Sequence, residues 1–186
     1  MDSGAKNYCL FLKGKTDAID DIVEEYRAGL QLYLYSVLGD LDAAEDITQD
    51  TFLKLFAGKP RFDPKASFKT WLYTIGRNQA FTYLKKQKKT VCMPDEDILA
   101  IAEDVAYLEE QCIADETKIT VHRALNKLKA EYREILWLTY FEGLSNKQSA
   151  KVMNKSVHGI ETLVSRARKA MEQQLKDIYP QRLRAM

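Results

Sequence analysis

Two stretches of this chain carry side chains whose types and spacing could do chemistry, and in both it is the chemistry of gripping nucleic acid. Between Val157 and Met171 the spacing predicts a helix on which His158, Glu161, Thr162, Ser165, Arg166 and Lys169 share a polar face. Side chains of those lengths reach base edges and phosphates when such a helix enters a major groove. Between Arg61 and Asn78, aromatic rings are interleaved with cations. Single-stranded DNA binding uses that pairing, because unpaired bases stack on rings while ammonium and guanidinium groups hold the backbone. Phe62 and Tyr73 are the expected stackers, Phe68 could stack or pack, and Lys69, Thr70, Tyr73, Arg77 and Asn78 are expected to face outward.

Bond-breaking chemistry has no comparable support. Gly14-Lys15-Thr16 ends like a phosphate-binding loop, but the glycine required five residues earlier falls at Cys9. Neither an H-E-x-x-H nor a G-x-S-x-G string occurs, and nothing brings a nucleophile and a base together. Cys9, Cys92 and Cys112 form no C-x-x-C pair, and His122 and His158 are the only histidines. That inventory suits reduced thiols rather than a disulfide framework or a four-ligand zinc site. Neither a cofactor, a metal nor an enzymatic activity is expected.

The polar face from His158 to Lys169 needs a scaffold, and the flanking residues supply one. Ser145 followed by Gln148 makes a capping box that starts a helix near Asn146. Ala150 and Met153 turn inward on it, and Asn154 follows, a residue that tolerates left-handed backbone. Ser156 can cap the next helix, on which Val157, Ile160, Leu163, Val164, Ala167 and Met171 form an apolar stripe. Two helices meeting at such a turn read as a helix-turn-helix; the bland alternative is a plain helical hairpin with a solvated face.

Upstream, Ile19, Ile22, Val23, Tyr26, Leu30, Tyr33, Leu34 and Val37 form a helical stripe that Gly39-Asp40 ends. Asp42 with Glu45 is expected to start the next helix, which turns Ala44, Ile47, Thr51 and Leu55 inward and Asp46, Gln49, Asp50 and Leu53 outward. A leucine among carboxylates on an open face resembles a docking site for a partner. Gly58-Lys59-Pro60 breaks that helix, and a third begins near Ser67 with Phe68, Trp71, Leu72 and Ile75 at core spacing.

The whole chain reads as all-α: glycine and proline are scarce, at 8 and 4 of 186 residues, and no alternating strand run is bounded by turns. Its longest apolar run, Ile135 to Phe141, is too short to cross a bilayer, and the N-terminus lacks an export signal, so a cytoplasmic protein without membrane insertion is expected. The net charge of +1 hides a sorting of charge along the sequence. Asp17 to Asp50 holds ten acidic residues against one basic, and Lys54 to Lys89 ten basic against one acidic. Met93 to Glu116 holds nine acidic residues and no lysine or arginine, and Thr117 to Met186 fourteen basic against six acidic. Two basic blocks suggest two contacts with one nucleic acid. The acidic stretch around residues 90–116 reads as a linker, in which Ile98, Ile101, Val105 and Leu108 could mark a loosely amphipathic helix.

Three segments in order, GDLDAAEDITQDTFLKLF from Gly39, FKTWLYTIGRNQA from Phe68 and YREILWLTYFEGLSNKQSAKVMNKSVHGIETLVSRARKAM from Tyr132, resemble bacterial sigma factors of the sigma-70 superfamily, extracytoplasmic-function (ECF) group. The resemblance implies two small helical domains, a region 2 bundle over residues 1–89 and a region 4 helix-turn-helix over 117–186, joined by the acidic linker of 90–116. It implies docking on core RNA polymerase, both clamp coiled coil and flap, with Asp46, Gln49, Asp50, Phe52 and Leu53 meeting the clamp. It places recognition and melting of the −10 element on Lys59, Arg61, Phe62, Lys65, Ser67, Phe68, Lys69, Thr70, Trp71, Tyr73, Arg77 and Asn78. It places −35 reading on Lys147, Lys155, Ser156, His158, Gly159, Glu161, Thr162, Ser165, Arg166 and Lys169. An anti-sigma partner is implied as well. The chain departs from the family's usual proline near Ala130, isoleucine near Ser149 and glycine near Asn154, and Glu161 stands where lysine is frequent. The competing reading is a stand-alone helix-turn-helix regulator, which leaves the acidic docking face and the upstream aromatic and basic block without a use.

Overall fold

The computed structural model describes residues 2–90 and 116–178, and these form helices and turns with no strand among them. The amphipathic reading of Ile98 to Leu108 lies outside the described residues. No helix among them is long and apolar enough to cross a membrane.

The first helix, α1 (Ser3–Leu12), has no counterpart in the sequence reading. Asp2 starts it by accepting from the Ala5 amide at 2.8 Å, and the other oxygen of the same carboxylate accepts from the Phe68 amide at 2.9 Å. One side chain therefore caps two helices 66 residues apart. A Cβ on Gly4 would lie 2.4 Å from the Phe68 ring, so α1 can lie this close only because that side chain is missing.

Helix α2 (Ala18–Leu38) follows the expected stripe and ends at Gly39, whose φ of 72° is left-handed. Helix α3 (Leu41–Gly58) starts two residues earlier than Asp42 and Glu45 suggested. Asp40 stands extended after Gly39 and accepts from the Ala43 amide at 2.9 Å, which puts Asp42 already inside the first turn. Helix α4 (Phe68–Thr90) is capped by Ser67, whose Oγ accepts from the Thr70 amide at 3.3 Å.

The remaining elements are α5 (Glu116–Asn126), α6 (Ala130–Leu136), a π-turn over Trp137–Phe141, α7 (Asn146–Met153) and α8 (Val157–Ile178). Helices α1 to α4 pack on one another, and α5, α6 and α7 pack on α8. The two groups also touch: α7 lies against α4 and α6 against α2, so the buried core runs on from one half to the other.

An aromatic cluster anchors the first half. Tyr8 packs on Phe11, Phe62, Phe68 and Trp71 with centroids 5.2 to 6.0 Å apart, and its hydroxyl donates to the Pro60 carbonyl at 2.8 Å. Helix α1 thus pins the loop before α4. Burial pushes the Tyr8 phenol up to about 12, and burial likewise raises Tyr26 to about 12. With an unfolded phenol near 10, the folded chain holds these protons longer, so their contribution is full below roughly pH 10 and is lost as pH rises through about 12. Urea midpoints should accordingly hold steady up to about pH 10 and fall above it.

Candidate nucleic-acid interface

The helix-turn-helix is built as its caps require. Ser145 Oγ accepts from the Gln148 amide at 3.4 Å and Gln148 Oε1 accepts from the Ser145 amide at 2.9 Å, closing the capping box. Asn154 takes left-handed φ and ψ of 52° and 50°, and the Lys155 amide donates back to the Ala150 carbonyl at 2.9 Å. Ser156 caps α8 by accepting from the Gly159 amide at 3.0 Å. Ile160, Leu163, Val164 and Ala167 are buried, as their spacing predicts. Val157 is not: it is exposed, because the stripe begins only where α8 meets α7.

Facing away from that core, Lys155, Ser156, His158, Glu161, Ser165, Arg166 and Lys169 are exposed, with Gly159 and Thr162 partly so, and Lys147 is exposed on α7. The face has few internal commitments. His158 Nδ1 stands 3.9 Å from Glu161, too far for a hydrogen bond, and Lys155 meets Glu131 at 2.8 Å on the surface. Below it, Ser149 is fully buried and its hydroxyl has no partner among the described residues. An unmet buried hydroxyl costs about 1–3 kcal/mol. Ser149→Ala should therefore raise the melting temperature by several degrees; a fall would mean that the hydroxyl is satisfied.

The upstream aromatic and basic segment departs from its expected exposure. Lys59, Arg61, Lys65 and Asn78 are exposed, and Ser67, Lys69, Trp71 and Arg77 are partly so. Phe62 is buried against Tyr8, Phe68 and Trp71, and Phe68 is fully buried, so neither ring is free to stack on a base. Thr70 and Tyr73, expected to face outward, are buried as well. The reason is tertiary: the outer side of α4, which an isolated three-helix bundle would expose, is covered by the C-terminal half.

Two glutamates make that cover. Glu134 on α6, only 5% exposed, accepts from Tyr33 Oη at 2.9 Å and Arg77 Nε at 2.5 Å. Glu142, just past the π-turn and 8% exposed, accepts from Tyr73 Oη at 2.6 Å, Lys69 Nζ at 2.8 Å and Trp137 Nε1 at 3.3 Å. Burial, with the adjoining carboxylate, drives both tyrosine phenols well above their ordinary range, so they stay donors. Arg133 Nε donates to the Ser36 carbonyl on α2 at 2.6 Å. Nothing in the sequence singles out Arg133, Glu134 and Glu142, since charged side chains are ordinarily solvated.

The acidic face of α3 stands as predicted: Asp46, Gln49 and Asp50 are exposed, and Leu53 at 65% is the most exposed large apolar side chain described. Phe52, grouped with them, is instead buried and stacked on Phe56 at 6.0 Å. It lies beside Thr51 on the inward side of the helix. A second apolar surface was not foreseen. Val121, Leu125, Leu136, Tyr140, Phe141, Met171 and Leu175 line a groove of about 410 Å³, with Arg168 over the Tyr140 ring at 5.4 Å. Its signal in the sequence was an aromatic pair, Tyr140-Phe141, ending the longest apolar run.

A helix-turn-helix with an exposed polar face on its second helix is the architecture of a helical DNA-binding protein. Residues 22–90 match Sigma-70 region 2 and residues 118–171 match Sigma-70, region 4, together more than half of the chain. The chain belongs to the sigma-70 family, as an alternative transcription initiation factor of the ECF group. Among its relatives, the ECF RNA polymerase sigma factor SigW of Bacillus subtilis is 29% identical over 89% of this chain and 93% of its own. The RNA polymerase sigma-H factor of Pseudomonas aeruginosa is 28% identical over 89% and 90%. In fold the chain is similar to the sigma factor RpoE solved with the anti-sigma factor NepR from Bartonella quintana, at 24% identity and a TM-score of 0.66 over 84% of this chain and 96% of that one. It is likewise similar to CnrH solved with the cytosolic domain of CnrY, at 24% identity and a TM-score of 0.69 over 95% and 99%.

Proposed function

We propose that this chain brings core RNA polymerase to promoters in the cytoplasm through two DNA contacts, contributing no catalysis of its own. The N-terminal half, residues 1–89, docks on the clamp coiled coil by Asp46, Gln49, Asp50 and Leu53, with Phe52 supporting that face from within. Its segment from Lys59 to Asn78, the loop before α4 and the first half of that helix, captures the melted −10 strand, and the gain from holding unstacked bases offsets the few kcal/mol needed to unstack them. The C-terminal half, residues 117–186, reads the −35 duplex through α8. The apolar groove beside Tyr140 and Phe141 is the site for the polymerase flap, since it offers aromatic and aliphatic anchors with the Arg168 guanidinium and the Glu172 carboxylate among them. The RpoE relative was solved with the anti-sigma factor NepR, which supports a partner of that kind as the regulator here.

The observation that carries this reading is the pairing, in one chain, of an exposed recognition helix with an exposed leucine set among carboxylates. A stand-alone regulator needs only the first. Run-off transcription with purified core polymerase, this chain and genomic fragments tests it: polymerase-dependent initiation at discrete sites is expected, and none on any fragment would overturn it. Within that assay Arg166→Ala should weaken −35 duplex binding by about 1–3 kcal/mol if Arg166 meets a base, and should lessen the salt dependence if it meets a phosphate. No change in either would remove Arg166 from the interface.

A further inference from the structure

We infer that Tyr8 and Asp2 are positioning residues for −10 capture: from α1 they hold the two ends of the loop between α3 and α4, so that Arg61 and Lys65 meet the melted strand on a backbone that is already fixed. The inference rests on the proposed role of the segment from Lys59 to Asn78. At the start of the loop, Tyr8 Oη donates to the Pro60 carbonyl at 2.8 Å, and Lys59 Nζ lies over the Phe11 ring at 5.4 Å. At its end, the Asp2 carboxylate accepts from the Phe68 amide at 2.9 Å. Between these ties the loop closes on itself: the Lys65 amide donates to Asp63 Oδ1 at 3.0 Å and the Ala66 amide to the Asp63 carbonyl at 2.8 Å.

These contacts go beyond ordinary packing. Lys59 holds a left-handed φ of 41°, a conformation that a non-glycine residue keeps where its surroundings over-determine it. Helix α1 is itself fixed from the far side, for Ser3 Oγ donates to Glu25 Oε1 on α2 at 2.6 Å and a Cβ on Gly4 would lie 2.7 Å from Tyr26 Oη. Arg61 and Lys65, by contrast, are exposed and enter no ion pair among the described residues. The loop thus combines a braced backbone with uncommitted cations. A site built that way loses little binding energy to ordering its own chain.

The test compares Tyr8→Phe and Asp2→Asn with the parent, all as full chains. Tyr8→Phe keeps the ring and removes only the donor, whereas Asp2→Asn keeps the shape but leaves one acceptor oxygen for two amides. Trypsin reads the free chain, since Arg61-Phe62 and Lys65-Ala66 are cleavable bonds within the loop. Holoenzyme assembled with core polymerase reads function, through its affinity for a −10 single strand and for a −35 duplex taken from a promoter mapped by run-off transcription. Both variants should be cut faster at Arg61 and Lys65 and should hold the −10 strand about fivefold more weakly, the factor that one lost capping bond represents. Their −35 duplex affinity should match the parent's. A purely structural role would instead lower both affinities together. That outcome, or parental values for either the cleavage rates or the −10 affinity, would overturn the inference and leave the proposed function standing. If Tyr8→Phe loses helical circular dichroism, Asp2→Asn, at an exposed position, carries the test. Failure of the parent to initiate on any fragment would overturn the proposed function and the inference with it.

Discussion

Leu53→Asp will weaken assembly with core RNA polymerase by about 2 kcal/mol or more, roughly thirtyfold, while leaving the fold untouched. Leu53 is 65% exposed on α3, so a carboxylate there meets water in the free chain. In the assembly it would be a fourth polar group beside Asp46, Gln49 and Asp50, at the one place where the face offers an apolar anchor. Carboxylates at the rim set the approach and its salt dependence, whereas a central apolar contact holds the complex once formed. The effect should therefore appear as faster dissociation of labelled chain from core polymerase, with the thermal melt of the free chain unchanged. Equal dissociation rates for parent and variant would move the docking face elsewhere.

Phe68→Ala will destabilise the chain by about 3–5 kcal/mol, the usual loss for emptying a fully buried aromatic site. Phe68 is fully buried and packs on Tyr8, Tyr26, Phe62 and Trp71. Its ring is also what α1 leans on through Gly4. The cavity would loosen α1 and, with it, the Tyr8 hydrogen bond that pins Pro60, so the loop from Arg61 to Lys65 should lose its order together with stability. Urea titration followed by circular dichroism measures the loss. A change below about 1 kcal/mol would mean that the ring leaves the core easily, as the reading of Phe68 as a base stacker requires.

The fate of the aromatic residues shows where periodicity stops informing. Phe68 and Leu72 fell at core spacing and are in the core; the open choice for Phe68 was settled by α1, whose apolar stripe is too short to have been noticed. Tyr73 lies off the apolar stripe of Phe68, Trp71, Leu72 and Ile75, which puts it outside by periodicity. It is buried all the same, stacked on Tyr33 of α2 at 5.2 Å and met from the C-terminal half by Glu142. Periodicity within a helix reports how many sides are apolar, and a polar side that is covered by hydrogen-bonding partners looks identical to one covered by water. Glu134 and Glu142 escaped notice for the same reason.

Local chemistry made the helices and turn from Ser145 to Met171 legible: a capping box, a residue tolerant of left-handed backbone and a rhythm of threes and fours favour a helix-turn-helix over a plain hairpin. Those residues act on neighbours within a turn or two, so their consequences can be read without knowing the rest of the chain. The acidic face around Leu53 was legible on similar grounds, from Asp46, Gln49, Asp50 and Leu53; Phe52, which only the family resemblance adds, is buried beside it. Only the tertiary structure decided that Lys69, Tyr73 and Arg77 face carboxylates across some 57 to 73 residues of sequence. Such pairings depend on which helix faces which, and that is fixed by the packing of whole surfaces, for which no single stretch of sequence carries the information.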